Sequence, residues 1–281
     1  IKNIIEKDRK KNQNIAYGNF LLSKYEFNLK NYKKEFDYLI SGHNHYYVSK
    51  KKQYTLDTDY WLNELPHNEE LNNTINTVAK EKILSKEPMP IFIIGVPRCG
   101  STLIEKIIGS GSHYITMGEE TGILSAFVKK KIIKKESICS NIENTRDELL
   151  EKYKQKNILQ EKSNYIFTDK TLDNFFYINM IKAIFPKAKI INCVRNPLFS
   201  IVSIIKNNLP SVSWCHSIDH IFKYFDTYYK KIDYLYKTYP NYIYELDLNK
   251  LSNEPVEESK KLMNFCNLPW DIKCLEFYKR K

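Results

Sequence analysis

Pro90-Ile91-Phe92-Ile93-Ile94-Gly95-Val96-Pro97-Arg98-Cys99-Gly100-Ser101-Thr102-Leu103 is the stretch from which the rest of the chain is read. Residues 91–96 are apolar on consecutive positions, as in a strand buried on both faces of a parallel sheet. A helix follows from Ser101, with Leu103, Ile104, Ile107 and Ile108 on one face, and Gly109-Ser110-Gly111 ends it. Between them, Gly95 to Thr102 has the spacing of the phosphate-binding loop G-x-x-x-x-G-K-[ST], with Ser101 where the lysine belongs. Glycines let the backbone wrap an anion, and a helix N-terminus directs N–H groups at it. Without the lysine, a nucleoside triphosphate loses the cation that spans its β and γ phosphates. Arg98 supplies instead a planar fork suited to phosphate or sulfate oxygens. The loop is built for an anion other than ATP with Mg²⁺.

Outward from this unit, strand and helix alternate. Strands are predicted at 165–168, 189–194 and 242–248. The helix after the first of these carries Leu172, Phe175, Phe176, Met180 and Ala183 and is stopped by Pro186. The helix after the second places Leu198, Ile201, Val202 and Ile205 at i, i+3, i+4, i+7. An aromatic helix spans about 217–238 and a last one 255–266. The pattern is that of an α/β domain with a mostly parallel sheet flanked by helices. Upstream, residues 14–47 read as a helical pair, with Ala16, Phe20 and Leu21 on one helix and Phe36, Leu39 and Ile40 on the other. Asn28-Leu29-Lys30-Asn31 separates them. One pair cannot bury its own faces, which marks it as a repeat remnant or a cap. The expected organisation is a helical remnant over 1–52, a linker over 53–88 and the α/β domain over 89–281. Segment 124–164 carries no readable motif.

The chain has 281 residues and a formal charge of +11, from 44 basic and 33 acidic side chains. Lys, Asn, Ile, Tyr and Phe are all abundant, so the charge reads mainly as solvated surface rather than as a nucleic-acid footprint. Six cysteines form no C-x-x-C pair and point to neither a zinc site nor a disulfide framework. A reducing, cytoplasmic compartment is expected. The longest apolar run, Ile91 to Val96, is far too short to cross a bilayer, so no membrane and no nucleic acid is expected as a partner. Ile1 and Tyr278-Lys279-Arg280-Lys281 look like cuts through a longer chain.

Residues 90–103 resemble the 5′-phosphosulfate loop of sulfotransferases that use 3′-phosphoadenosine-5′-phosphosulfate (PAPS). The similarity is to bacterial tetratricopeptide-repeat sulfotransferases and protein-tyrosine sulfotransferases, whose loop usually reads P-R-S-G-T-T-L. The helical pair is similar to the last repeat of that family's N-terminal array and offers a surface for a protein partner. The resemblance implies that Arg98, Cys99, Gly100, Ser101 and Thr102 hold the phosphosulfate and that Arg98 also serves the reaction. Cys99 replaces the usual Ser, and Ser101 the first Thr. In Met117-Gly118-Glu119-Glu120-Thr121 the family carries a catalytic base; both Glu119 and Glu120 are candidates. In Phe167-Thr168-Asp169-Lys170-Thr171-Leu172 the family's catalytic lysine matches Lys170. In Cys193-Val194-Arg195-Asn196-Pro197, Arg195 matches the arginine of the 3′-phosphate site, and Ser203 follows eight positions later. No metal is implied, and adenosine 3′,5′-bisphosphate is the expected product. The acceptor is a hydroxyl on a peptide, a glycan or a small molecule. Leu248-Asn249-Lys250-Leu251 stands where relatives carry Tyr-Glu-x-Leu. A late serine-bearing loop of the family has no counterpart before Lys281, so the α/β domain is expected to be truncated and to hold its donor weakly.

Two other readings stay open on the residues. A P-loop kinase or NTPase would want a lysine at 101 and an apolar strand ending in Asp, which Ile166-Phe167-Thr168-Asp169 faintly offers. A repeat scaffold with a degenerate, non-catalytic domain would bind partners through the helical pair.

Overall fold

A computed structural model describes residues 11–75, 88–163 and 165–279. Part of the expected linker (76–87) and both chain ends lie outside the described residues. Two compact units are present, one of 11–67 with Pro197–Thr227, the other of Asn68–Asn196 with Tyr228–Lys281.

The second unit is built on a four-stranded sheet. Strands β1 (Met89–Gly95), β2 (Ile166–Asp169), β3 (Lys189–Val194) and β4 (Ile243–Asp247) lie in the order β2-β1-β3-β4, all parallel. The apolar run does what consecutive hydrophobicity requires: Ile91, Phe92, Ile93 and Ile94 are completely buried at the sheet centre. Truncating any of them to Ala costs about 2–5 kcal/mol. Register places Phe92 beside Asp169 and Gly95 beside Cys193, so the three chains end close together at one edge of the sheet. A further segment runs parallel to β2 on its outer side, bridging Thr116 to Phe167 and Glu119 to Lys170. Helices Ser101–Ser110, Ile123–Lys134, Ile142–Gln155, Ile178–Ile184 and Pro255–Phe265 complete the layers. The predicted helix after β2 is broken into a 3₁₀ run, Leu172–Tyr177, and a short α-helix, Ile178–Ile184. Polar Asn192 of β3 is buried but satisfied: its Oδ1 accepts from Tyr228 Oη at 2.6 Å, and its Nδ2 donates to Tyr236 Oη at 3.0 Å.

The first unit begins with the helical pair, Asn12–Asn28 and Tyr32–Ser49. Lys51–Asp59, which runs into the stretch read as a linker (53–88), is α-helix, and Tyr60–Glu64 within that stretch is a short π-helix. Leu21 and Phe36, read from spacing as part of the inner faces, are exposed, while Ala16, Leu39 and His43 turn inward. The Pro197–Ile205 helix departs in the same way. Ile201 and Ile205 are buried with Ser200 and Ile204, whereas Leu198 and Val202 are exposed. All three helices carry apolar residues on several sides, so periodicity alone cannot choose the buried one.

The core of this unit is aromatic. His216 stacks on Tyr46 at 4.9 Å and on Tyr54 at 5.3 Å, and Trp214 stacks on Tyr224 at 3.9 Å. His43 Nε2–H donates to the Ile205 carbonyl at 2.8 Å, which leaves its Nδ1 to accept from His216 Nδ1–H at 3.0 Å. Protonating His43 would set two N–H groups face to face. Burial lowers both pKa values from the ordinary 6.5, that of His216 to about 3. A histidine whose folded pKa lies below its unfolded one contributes stability that is present above 6.5 and lost as pH falls. Stability is therefore lost through His216 as pH falls from 6.5 towards about 3. We expect the melting temperature to fall by several degrees between pH 7.5 and 5.5, with a shallower fall in His216→Gln, followed by circular dichroism.

Candidate active site

The anion loop leaves β1 at Gly95, whose φ of 152° belongs to glycine; an added Cβ would lie 2.9 Å from both the Cys193 carbonyl and Cys99 Sγ. The loop then turns through two left-handed residues, Arg98 (φ 72°) and Gly100 (φ 96°). Gly100 is the N-cap of Ser101–Ser110, and its carbonyl accepts from Leu103 N at 3.0 Å. Left-handed backbone at a non-glycine residue is held only where surroundings enforce it. Here Arg195 Nη1 donates to the Arg98 carbonyl at 3.1 Å, so the arginine expected at the 3′-phosphate also braces the anion loop.

Within the loop, side chains divide between floor and mouth. Arg98 and Thr102 are exposed, while Cys99 and Ser101 are buried. Cys99 is completely buried, with its sulfur against Cys193 and Ser101. The Cys193 thiol holds the Cys99 thiol below the ordinary cysteine range, against burial, which acts the other way. Cys193 itself is pushed well up by burial. The mouth is left to the backbone, to Thr102 and to Arg98.

Lys170 follows the last residue of β2 and is nearly buried. Its Nζ donates to Glu119 Oε1 at 2.7 Å and to Thr102 Oγ1 at 3.1 Å. Three sequence-predicted residues from separate segments thus meet at one ammonium group. Glu119 keeps a side-chain exposure of 60%, and the Lys170 hydrogen bond holds its carboxyl below the ordinary value of 4.5. Glu120 takes no part in this junction: it is exposed, in left-handed backbone at φ 46°. Ser203 stands on Pro197–Ile205, in the first unit.

The segment bearing Glu119 is zipped to β2 by its backbone. Thr168 N donates to Thr116 O at 3.0 Å, Lys170 N to Gly118 O at 2.9 Å, and Glu120 N to Lys170 O at 3.0 Å. Gly118 is needed for closeness, because an added Cβ would collide with the Thr168 carbonyl. Alternation along β2 sends its side chains to two layers. Thr168 donates to Glu105 Oε1 at 2.5 Å and accepts from Gly118 N at 3.0 Å. Phe167, by contrast, packs on Tyr153 at 4.7 Å. Burial raises the Glu105 carboxyl.

Sequence reading missed Glu105, Thr168 and Leu248. Glu105 lies beside the apolar face of Leu103, Ile104, Ile107 and Ile108 rather than within it, so spacing gave no signal that it is buried. Leu248 opens the short helix Leu248–Asn253, and its δ carbons lie 2.8 Å from where a Gly100 Cβ would be. The segment read as a lost tyrosine contact therefore packs a leucine on the anion loop. Asp169, the faint Mg²⁺ ligand of the NTPase reading, is completely buried and accepts four hydrogen bonds. Among the described residues, no helix is long and apolar enough to cross a membrane.

An uncharacterized protein of Aquifex aeolicus (strain VF5) is 31% identical over 211 residues, which are 68% of this chain and 27% of that one. The chain thus spans about a quarter of that relative's length. Among solved structures, the sulfotransferase domain from the curacin biosynthetic pathway is similar at 17% identity and a TM-score of 0.49, over 70% of this chain and 80% of that one. The sulfotransferase domain from the Synechococcus PCC 7002 olefin synthase is similar at 16% identity and a TM-score of 0.48, over 72% of this chain and 82% of that one. Residues 90–272, which hold the anion loop, Glu119, Lys170, Arg195 and Ser203, match the sulfotransferase family, and this chain belongs to that family.

Proposed function

We propose that the chain transfers a sulfuryl group from PAPS to an acceptor hydroxyl by in-line displacement. The observation that carries this reading is the junction of Lys170 with Thr102 and Glu119, a cation and a carboxylate side by side at the mouth of an anion loop. The acceptor oxygen forms its bond to sulfur as the bond from sulfur to the 5′-phosphate oxygen breaks. Glu119 takes the acceptor's proton. Charge grows on the departing phosphate oxygen, where Lys170 and the loop with Arg98, Gly100, Ser101 and Thr102 offset it. Such transfer depends on alignment and charge stabilisation more than on covalent help from the protein.

Glu119 is favoured over Glu120 because its carboxylate accepts from Lys170 Nζ and Thr102 Oγ1, whereas Glu120 meets Lys170 through its backbone N–H. Arg195 takes the 3′-phosphate, which separates PAPS from ordinary adenine nucleotides. The burial of Asp169 weighs against the NTPase reading. A peptidyl tyrosine, a glycan hydroxyl and a small-molecule hydroxyl are the acceptors to compare.

Calorimetry tests the donor site. Adenosine 3′,5′-bisphosphate should bind at least about tenfold more tightly than 5′-AMP or ATP, with the margin lost in Arg195→Ala, since a charged hydrogen bond contributes about 1.5–3 kcal/mol. Equal binding of all three nucleotides would sink the PAPS assignment.

Rates test the roles. With an acceptor in hand, Glu119→Gln should lower kcat by about 10²–10⁴ and Lys170→Ala by about 10²–10³. Because the Glu119 pKa lies below 4.5, its base form is already present at higher pH. The acid limb of kcat/KM should therefore fall at or below that value. A limb centred near pH 6.5 would assign the proton to another group.

A further inference from the structure

We infer that Asp169 is the positioning residue of this site, a buried carboxylate that holds the Glu119 segment against Lys170 from the opposite face of β2. The inference rests on the roles proposed for Glu119 and Lys170. Asp169 Oδ2 accepts from Tyr153 Oη at 2.5 Å and from Thr121 Oγ1 at 2.8 Å. Oδ1 accepts from Thr171 Oγ1 at 2.7 Å and from Asn174 Nδ2 at 3.2 Å. Asp169, Asn174 and Tyr153 are completely buried, and Thr121 and Thr171 nearly so. Four donors converging on two oxygens match the acceptor-only inventory of an ionised carboxylate. Burial holds the Asp169 pKa above the ordinary carboxylate value, and the four bonds act against that shift.

The placement of these partners tells what the network does. Lys170 and Asp169 are consecutive, so their side chains leave β2 on opposite faces. Glu119 pairs with Lys170 across the backbone, and just past the left-handed residue Glu120 the Thr121 hydroxyl reaches Asp169. The segment therefore grips both faces of one strand end: Glu119 on Lys170 in front, Thr121 on Asp169 behind. Thr121 Oγ1 also accepts from Ile123 N at 3.2 Å, and Thr171 Oγ1 from Gly122 N at 3.1 Å, so helix Ile123–Lys134 starts from the same cluster. Lys156 Nζ donates to the Thr121 carbonyl at 2.7 Å. Tyr153 brings in helix Ile142–Gln155, from the segment that carried no readable motif. Its hydroxyl is 2.5 Å from the residue preceding the proposed catalytic lysine. Both Asp169 oxygens are satisfied, although the buried Asn174 Oδ1 has no partner among the described residues, and removing one donor leaves a buried carboxylate oxygen short.

The test removes donors without removing volume. Thr121→Val is isosteric and lacks the hydroxyl, Thr121→Ser keeps it, and Tyr153→Phe removes the other donor to Oδ2. The first readout is the Glu119 carboxyl pKa by NMR titration with labelled glutamate, its signal assigned by Glu119→Gln. It should rise towards the ordinary carboxylate value in Thr121→Val and Tyr153→Phe and stay low in Thr121→Ser. The second readout is kinetic. Both donor-deleting variants should lose up to about 10²-fold in kcat, the cost of misplacing a reacting group by about an ångström. Bisphosphate affinity should stay within about twofold, and Thr121→Ser should recover most of the rate. An unchanged Glu119 titration in a folded Thr121→Val or Tyr153→Phe protein overturns the inference. Should the valine variant fail to fold, the phenylalanine variant decides by itself. The titration needs no donor or acceptor, so an unselective nucleotide site would end the proposed function and still leave this inference decided.

Discussion

The constraint on which the second unit depends is the complete burial of β1. Ile91 to Ile94 have no solvent face, so the strand must be paired on both edges and covered on both faces. Parallel pairing with β2 and β3 meets the first demand. It also brings the exits of all three strands to one edge of the sheet, where α/β folds bind ligands. The anion loop, Lys170 and Arg195 each leave a different one of these strands. Hydrophobic patterning in seven residues thus sets the meeting place of groups that lie about a hundred residues apart.

Placement at that edge is completed by segments that are not strands of the main sheet. The 116–120 backbone is fastened to β2, and Gly118 permits the closeness because its missing Cβ leaves room for the Thr168 carbonyl. Arg195 braces the strained carbonyl end of Arg98. Leu248 covers Gly100. The junction at Lys170 is therefore supported by β2, by the 116–120 segment, by Arg195 and by the helix that Leu248 opens, and its charges sit on backbone that is itself hydrogen-bonded.

The first unit follows another logic. Its core is a stack of rings around His216, with His43 held between a carbonyl and a second imidazole. Neutral histidines pack there as flat aromatic groups that also carry one donor and one acceptor. The arrangement joins the helical pair to the Pro197–Thr227 segment through a few directional contacts.

The α/β class, the four strands and the residue types of the anion loop were legible in the sequence, because consecutive hydrophobicity and glycine spacing are local signals. Lys170, Glu119 and Arg195 were legible as candidates through their order along the chain. The choice between Glu119 and Glu120 was not: it depends on a left-handed turn that follows the first glutamate, and on which carboxylate the Lys170 ammonium reaches. Nor was the buried side of the Pro197–Ile205 helix, since a helix apolar all round has no preferred face until its neighbours are in place. Asp169, Thr121 and Tyr153 lie far apart in sequence and carry no periodic signal. Only tertiary structure brings them together, because a buried carboxylate persists where donors from separate elements converge on it.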